Sequence, residues 1–231
     1  VRTSDLQPRG VAKRSPPLVV LPAMADEPTF NIASYLPQMA RDLPHQAAVV
    51  LPHDHDLLGK RKYAHLTYRQ LDELCDAYAH GLTALGVERG DRVLLMVKQG
   101  LELIALTFAL FKIGAVPILI APGMGRESVL ACIASARPRR MIGIPLAFVM
   151  KRLLGKSFKT VQTTVCTEAK WWTGAHALPH VADHDAGVFE PRSTTRGDMA
   201  AILVTSGSTG PPKGVLYTHG IFDGQVQAIQ E

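Results

Sequence analysis

With 231 residues, 47% of them hydrophobic and 19% charged, the chain has the composition of a folded globular protein, long enough for one large α/β domain or two small ones. The formal charge of +5 gathers only at Arg137, Arg139 and Arg140 and along Lys151 to Lys159; with no nucleic-acid motif beside it, a solvated face is expected and no nucleic-acid partner. Cys75, Cys132 and Cys166 are too few and too scattered for a disulfide framework or a zinc centre, so buried thiols in a reducing, cytoplasmic setting are expected.

Residues 1 to 23 are basic, proline-rich and aperiodic. Ala23-Met24-Ala25 mimics a signal-cleavage site, but the apolar stretch Leu18 to Leu21 is too short for a signal peptide. A disordered leader is expected over 1–23, with the folded part starting at Met24 and running to 231. Asn31 can cap a helix reaching about Leu43, although Pro37 sits awkwardly within it. Ala47 to Leu51 reads as a strand, followed by His53, Asp54, His55 and Asp56 in a polar loop. Two His and two Asp invite a metal hypothesis, but no further ligands cluster with them, so a solvated loop and no metal site are expected.

Tyr63 to Leu66 reads as a short strand. Thr67 and Gln70 form a capping box, and Leu71, Leu74, Cys75, Tyr78, Leu82 and Leu85 then repeat at three and four, so a helix is predicted that Gly86 ends. Asp91 to Val97 is a predicted buried strand. The apolar run Leu101 to Pro122 has the length of a membrane span, but Glu102, Lys112, Gly114 and Pro117 interrupt it. A buried helix over Gly100 to Ile113 and a strand over Ala115 to Ile120 fit better than a transmembrane segment. A helix from Arg126 to Arg137, a strand from Met141 to Ile144, a helix from Pro145 to about Leu154 and a strand from Thr160 to Cys166 follow. Trp171 to Asp198 is polar and irregular, and reads as a surface connection.

The chain is organised around what comes next: Thr205-Ser206-Gly207-Ser208-Thr209-Gly210-Pro211-Pro212-Lys213-Gly214, between the apolar runs Met199–Val204 and Val215–Tyr217. Two buried strands flanking a loop at a sheet edge are expected there, with a helix from Thr218 or His219 onward. The glycines admit close approach of backbone N–H groups, the hydroxyls add donors and Lys213 adds a mobile positive charge, a set suited to phosphate. The two prolines disfavour an immediate helix, and G-x-x-x-x-G-K-[ST] does not fit, so this is not the loop of P-loop NTPases. A plain Gly/Ser linker ranks below the phosphate reading because apolar strands pin both sides. The alternation of strand and helix predicts an α/β fold, a mostly parallel sheet layered with helices, whose binding loops lie beyond the strand C-termini.

Thr205 to Val215 resembles the phosphate-binding signature of the adenylate-forming superfamily, the group of acyl- and aryl-CoA synthetases, firefly luciferase and peptide-synthetase adenylation domains. The resemblance extends to Leu-Thr-Tyr at residues 66–68, Leu-Gly-Val-Glu-Arg-Gly-Asp-Arg-Val at 85–93 and Lys-Ile-Gly-Ala-Val-Pro at 112–117, similar to the first subdomain of fatty-acyl-CoA ligases. It implies an ATP phosphate site at Thr205, Ser206, Gly207, Ser208, Thr209, Gly210 and Lys213, with Lys213 offsetting charge as pyrophosphate leaves. Ile118 to Arg126 departs from the Val-Pro-Leu/Ile-Asp-Pro run of many members. With Ile142 to Pro145 and His219 to Phe222, it looks most like the β-lactone-forming branch that serves bacterial long-chain olefin biosynthesis. That branch implies a long-chain β-hydroxy acid as substrate, ATP and Mg2+ as cofactors, and assembly with other pathway enzymes. The first alternative is a fatty acid joined to CoA; the second is a non-catalytic phosphate- or partner-binding module; the third is a purely structural glycine loop. The adenine, ribose and magnesium motifs and the C-terminal domain of the superfamily fall outside the chain, so the 231 residues alone are expected to be inactive. His219 is expected to be a cap or packing residue and not a general base.

Overall fold

The computed structural model describes residues 29–55, 61–121, 123–182, 185–205 and 213–230. The leader expected over 1–23 lies outside them. Asn31 caps a 3-10 turn, Ile32–Ser34, by accepting from the Ala33 amide at 2.9 Å. Helix α1, Tyr35–Asp42, follows, and Pro37 falls within its first turn, where a missing N–H costs nothing. β1, Ala47–His55, and β2, Arg61–Thr67, then pair antiparallel as a separate two-stranded sheet. This corrects the expected polar loop, because His53, Asp54 and His55 belong to β1. Asp56 lies outside the described residues.

Helix α2, Tyr68–Ala84, begins at the predicted capping box, with both reciprocal bonds between Thr67 and Gln70 present. It ends as predicted at Gly86, which takes φ +79°. β3 (Arg92–Met96), α3 (Leu101–Ile113), β4 (Val116–Ile120), α4 (Arg126–Ala136), β5 (Arg140–Gly143), α5 (Pro145–Leu153) and β6 (Thr163–Cys166) follow in order. The expected surface connection over Trp171 to Asp198 holds more structure than its composition suggests: a 3-10 turn at Trp171–Thr173, β7 at His176–Ala177 and a one-turn helix α6 at Leu178–Val181. Val165 and Cys166 of β6 pair with β7 to extend the sheet, and Leu178 and Val181 are buried, a non-local gain invisible to periodicity. β8 (Met199–Thr205), β9 (Lys213–Thr218) and α7 (His219–Gln230) complete the order.

The main sheet runs β7, β6, β5, β3, β4, β8, β9. All neighbours are parallel except β8 and β9. Its central strands are apolar on both faces, as a covered parallel sheet requires. Val93, Leu95 and Ile142 face α2 and α3 on one side. Leu94, Met141 and Ile118 face α4 and α5 on the other. The three cysteines are buried and free within these cores. Among the described residues no helix is long and apolar enough to cross a membrane.

Lys112, which the sequence offers only as an interruption of an apolar run, is 0% exposed. Its Nζ bonds Asp72 Oδ1 at 2.6 Å and Asp76 Oδ1 more closely, tying α3 to α2 through the core. Burial raises the Asp76 carboxyl above its usual range, and the hydrogen bond from Lys112 opposes that shift.

Candidate functional site

The glycine- and hydroxyl-rich loop hangs from the last rung of one ladder. Thr205 ends β8, Lys213 opens β9, and the two are Cα partners, with Val204 and Gly214 as the next pair. Seven residues, 206–212, therefore span a single antiparallel rung. Ser206, Gly207, Ser208, Thr209 and Gly210 lie outside the described residues. Both ends are held in one sheet, which a linker between independently moving units would not need. One expectation is corrected: β8 is buried, but Gly214 and Val215 of β9 are exposed and Leu216 and Tyr217 only half-buried, because β9 is the sheet's edge strand.

Thr205 is exposed at the C-terminal end of a parallel strand, the edge at which α/β sheets bind ligands. The exit from β4 lies beside it, since the Ala121 amide donates to Val204 O at 2.9 Å. From Met199 to Phe222 there is no carboxylate, so the donor set of four hydroxyls, backbone amides and the Lys213 ammonium meets no nearby acid in sequence. That donor set fits a polyphosphate. Among the described residues no group of three or more His, Cys, Asp or Glu is placed to hold a metal ion.

The helix after the loop does not offer an open N-terminus to an anion. The His219 amide donates to Asp198 O at 3.1 Å and the Gly220 amide to Arg196 O at 2.9 Å, so the first donors of α7 are already occupied. Thr218 pairs with Met199, so α7 starts at the opposite end of β9 from the loop, and anion recognition at the loop's edge falls to the loop itself, in contrast to P-loop proteins, where a helix start does part of that work.

At the other end of β9 from the loop, α7 is pinned to the start of the fold. His219 is 0% exposed and its Nδ1 accepts from the Ile32 amide at 3.2 Å. Its ring lies edge-on to Phe111, with centroids 6.3 Å apart. Burial lowers its pKa to about 4, so at neutral pH the ring is uncharged and packed, as expected for a structural histidine. One turn on, Asp223 accepts from Tyr35 Oη at 2.6 Å and from Gln227 Nε2 at 2.9 Å, and pairs with Arg196. The Tyr35 hydrogen bond, with that from Arg196, holds its carboxyl below the usual range. The Arg196 guanidinium also stacks over Phe30 at 4.7 Å. Residues 30 to 35, which carry no phosphate-binding signature, thus brace the hairpin; only the helix-start position of His219 hinted at this.

A groove of about 890 Å³ lies at the opposite edge of the sheet, lined by His80, Lys170, Trp171, His176 and His180 among others, so it is no part of the loop's site.

A mostly parallel sheet layered with helices, with a hairpin at the C-terminal end of β8, defines an α/β fold of the kind that binds ligands at that edge. Residues 38–230 match the model of the AMP-binding enzyme family, and the chain belongs to that family. Among relatives, it is 41% identical over 202 residues to the olefin β-lactone synthetase of Xanthomonas campestris, covering 87% of this chain and 36% of that protein. It is also 41% identical over 207 residues to the olefin β-lactone synthetase of Stenotrophomonas maltophilia, with 86% and 36% covered. The medium-chain fatty-acid–CoA ligase of Escherichia coli is 28% identical over 196 residues, with 82% and 33% covered. The chain thus spans about a third of the length of these relatives. Among solved structures, the anthranilate–CoA ligase AuaEII with anthranoyl-AMP superposes with a TM-score of 0.72 at 18% identity, covering 86% of this chain and 36% of that one, a likeness of fold.

Proposed function

We propose that this chain is the N-terminal part of an ATP-dependent ligase that activates a long-chain β-hydroxy acid as its acyl-AMP and closes it to a β-lactone. The observation that carries the reading is the 41% identity to two olefin β-lactone synthetases, well above the 28% shared with a fatty-acid–CoA ligase. The hairpin's donor set and its place at the sheet edge support ATP as the activating partner. Thr205, Ser206, Ser208 and Thr209 would orient the phosphates, Gly207 and Gly210 would let the backbone approach them, and Lys213 would offset their charge.

In the first step the substrate carboxylate attacks the α-phosphorus and pyrophosphate leaves. In the second, the substrate's own β-hydroxyl oxygen attacks the activated carbonyl, loses its proton and displaces AMP. Holding that hydroxyl beside the mixed anhydride substitutes proximity for a second substrate. Magnesium would neutralise phosphate charge. Three buried thiols support a cytoplasmic setting.

The test is to incubate the complete protein with ATP, Mg2+ and a long-chain β-hydroxy acid, with and without CoA, and to identify the products by mass. A product one water lighter than the acid, formed with AMP in the absence of CoA, supports the reading. A thioester formed only with CoA replaces it with a fatty-acid–CoA ligase. No AMP under either condition replaces it with a non-catalytic module.

A further inference from the structure

A helix packed on a sheet ordinarily turns its polar side outward. α5 does the reverse over part of its surface. It buries Ala147 and Phe148 in the core shared with α4. Its i, i+3, i+4, i+7 face is Leu146, Val149, Met150 and Leu153, and this face looks out. Leu146 is 64% exposed, Val149 39% and Leu153 75%, with Met150 half-buried. Lys151 and Arg152 lie in the last turn of α5, Lys156 in the 3-10 turn Gly155–Phe158 that follows, and Lys159 just after it. Arg152, Lys156 and Lys159 are exposed, and among the described residues no carboxylate forms an ion pair with any of the four cations. No acidic residue occurs between Glu127 and Glu168.

We propose that this face docks the protein on an anionic lipid surface. Leu146, Val149, Met150 and Leu153 would enter the boundary between headgroups and acyl chains, and the exposed Arg152, Lys156 and Lys159 would meet anionic headgroups. A protein interface would be expected to carry a rim of mixed sign around a broader apolar centre. A single apolar helical stripe followed by exposed cations, in a stretch of sequence free of carboxylates, matches an interfacial membrane helix. The inference stands apart from the lactone reading, because it uses no residue of the loop.

The experiment is co-sedimentation of the complete protein with phosphatidylcholine vesicles made with and without phosphatidylglycerol. Binding is expected only with the anionic lipid, and weaker as salt is raised. Leu146→Ser with Leu153→Ser, and separately Lys156→Glu with Lys159→Glu, should each lower the partition coefficient by about tenfold or more. Both pairs are exposed, so the thermal midpoint should stay unchanged. A polarity-sensitive fluorophore on Leu153→Cys should shift to the blue when anionic vesicles are added. Absence of wild-type binding, or binding unaltered in both variants, overturns the proposal. A label already shielded without lipid also overturns it, in favour of a protein covering this face. None of these readouts needs turnover, so failure of the lactone assay and failure of lipid binding are separate results.

Discussion

The amide of Ile32 donates to Nδ1 of His219 across 3.2 Å, joining the first turn of the described fold to the first residue after the loop-bearing hairpin. The two lie 187 positions apart in sequence. The contact fixes where α7 starts, and so where β9 must end. Asn at 219 would offer Oδ1 near the position of Nδ1 and cannot titrate. His219→Asn is therefore expected to keep most of the stability at neutral pH, whereas His219→Leu leaves a buried N–H unpaired and should cost about 1–3 kcal/mol in urea unfolding.

The same histidine gives stability a pH dependence of known sign. Its folded pKa of about 4 lies below the ordinary histidine value of about 6.5, so the unfolded chain binds the extra proton first. The contribution is complete above about 6.5 and is lost as pH falls toward 4. Urea midpoints of the wild type should fall over that window, and the part of the slope due to His219 should vanish in His219→Asn. An identical slope in the two proteins would remove His219 from the account.

Lys112 between Asp72 and Asp76 predicts an asymmetric mutational series. Lys112→Met strands two carboxylates against the core and should cost about 3–5 kcal/mol. Removing a carboxylate as well, in Lys112→Met with Asp76→Leu, should recover much of that loss. Equilibrium denaturation of the single and double variants measures the coupling.

Gly81 lies where α2 passes α6, and a Cβ built there would come within 1.6 Å of the Val181 carbonyl oxygen. Because the obstacle is backbone, no rotamer change relieves it. Gly81→Ala is expected to destabilise by about 1–3 kcal/mol, the range for overpacking. Hydrogen exchange should show the loss centred on residues 176–182.

Lys213 opens β9 opposite Thr205, so its removal tests whether the loop is a phosphate site or only a turn. In the complete protein Lys213→Ala should lower ATP–pyrophosphate exchange by about 10²–10³-fold, the scale of a lost electrostatic contact to developing charge. An unchanged rate would favour a structural loop.

Local chemistry alone determined much of this protein. The Thr67–Gln70 capping box, the Gly86 terminator, the strand–helix alternation and the strand–loop–strand setting of Thr205 to Gly214 are short-range patterns, and each is written in neighbouring residues. The phosphate preference proposed for the loop rests on the same kind of pattern, since its donors are consecutive in the chain. Only the tertiary structure decided the strand order, the antiparallel turn of β9, the pairing of β7 with β6 and the separate β1–β2 sheet. Hydrogen-bond partners between strands are chosen by packing across long sequence separations, which periodicity does not encode. Lys112 reads as a break in an apolar run until α2 brings Asp72 and Asp76 to it. His219 reads as an ordinary helix start until Ile32 arrives from the other end of the fold. The outward apolar face of α5 belongs with these, because a helical repeat shows that a face is apolar, and only the packing of Ala147 and Phe148 shows which side is left exposed.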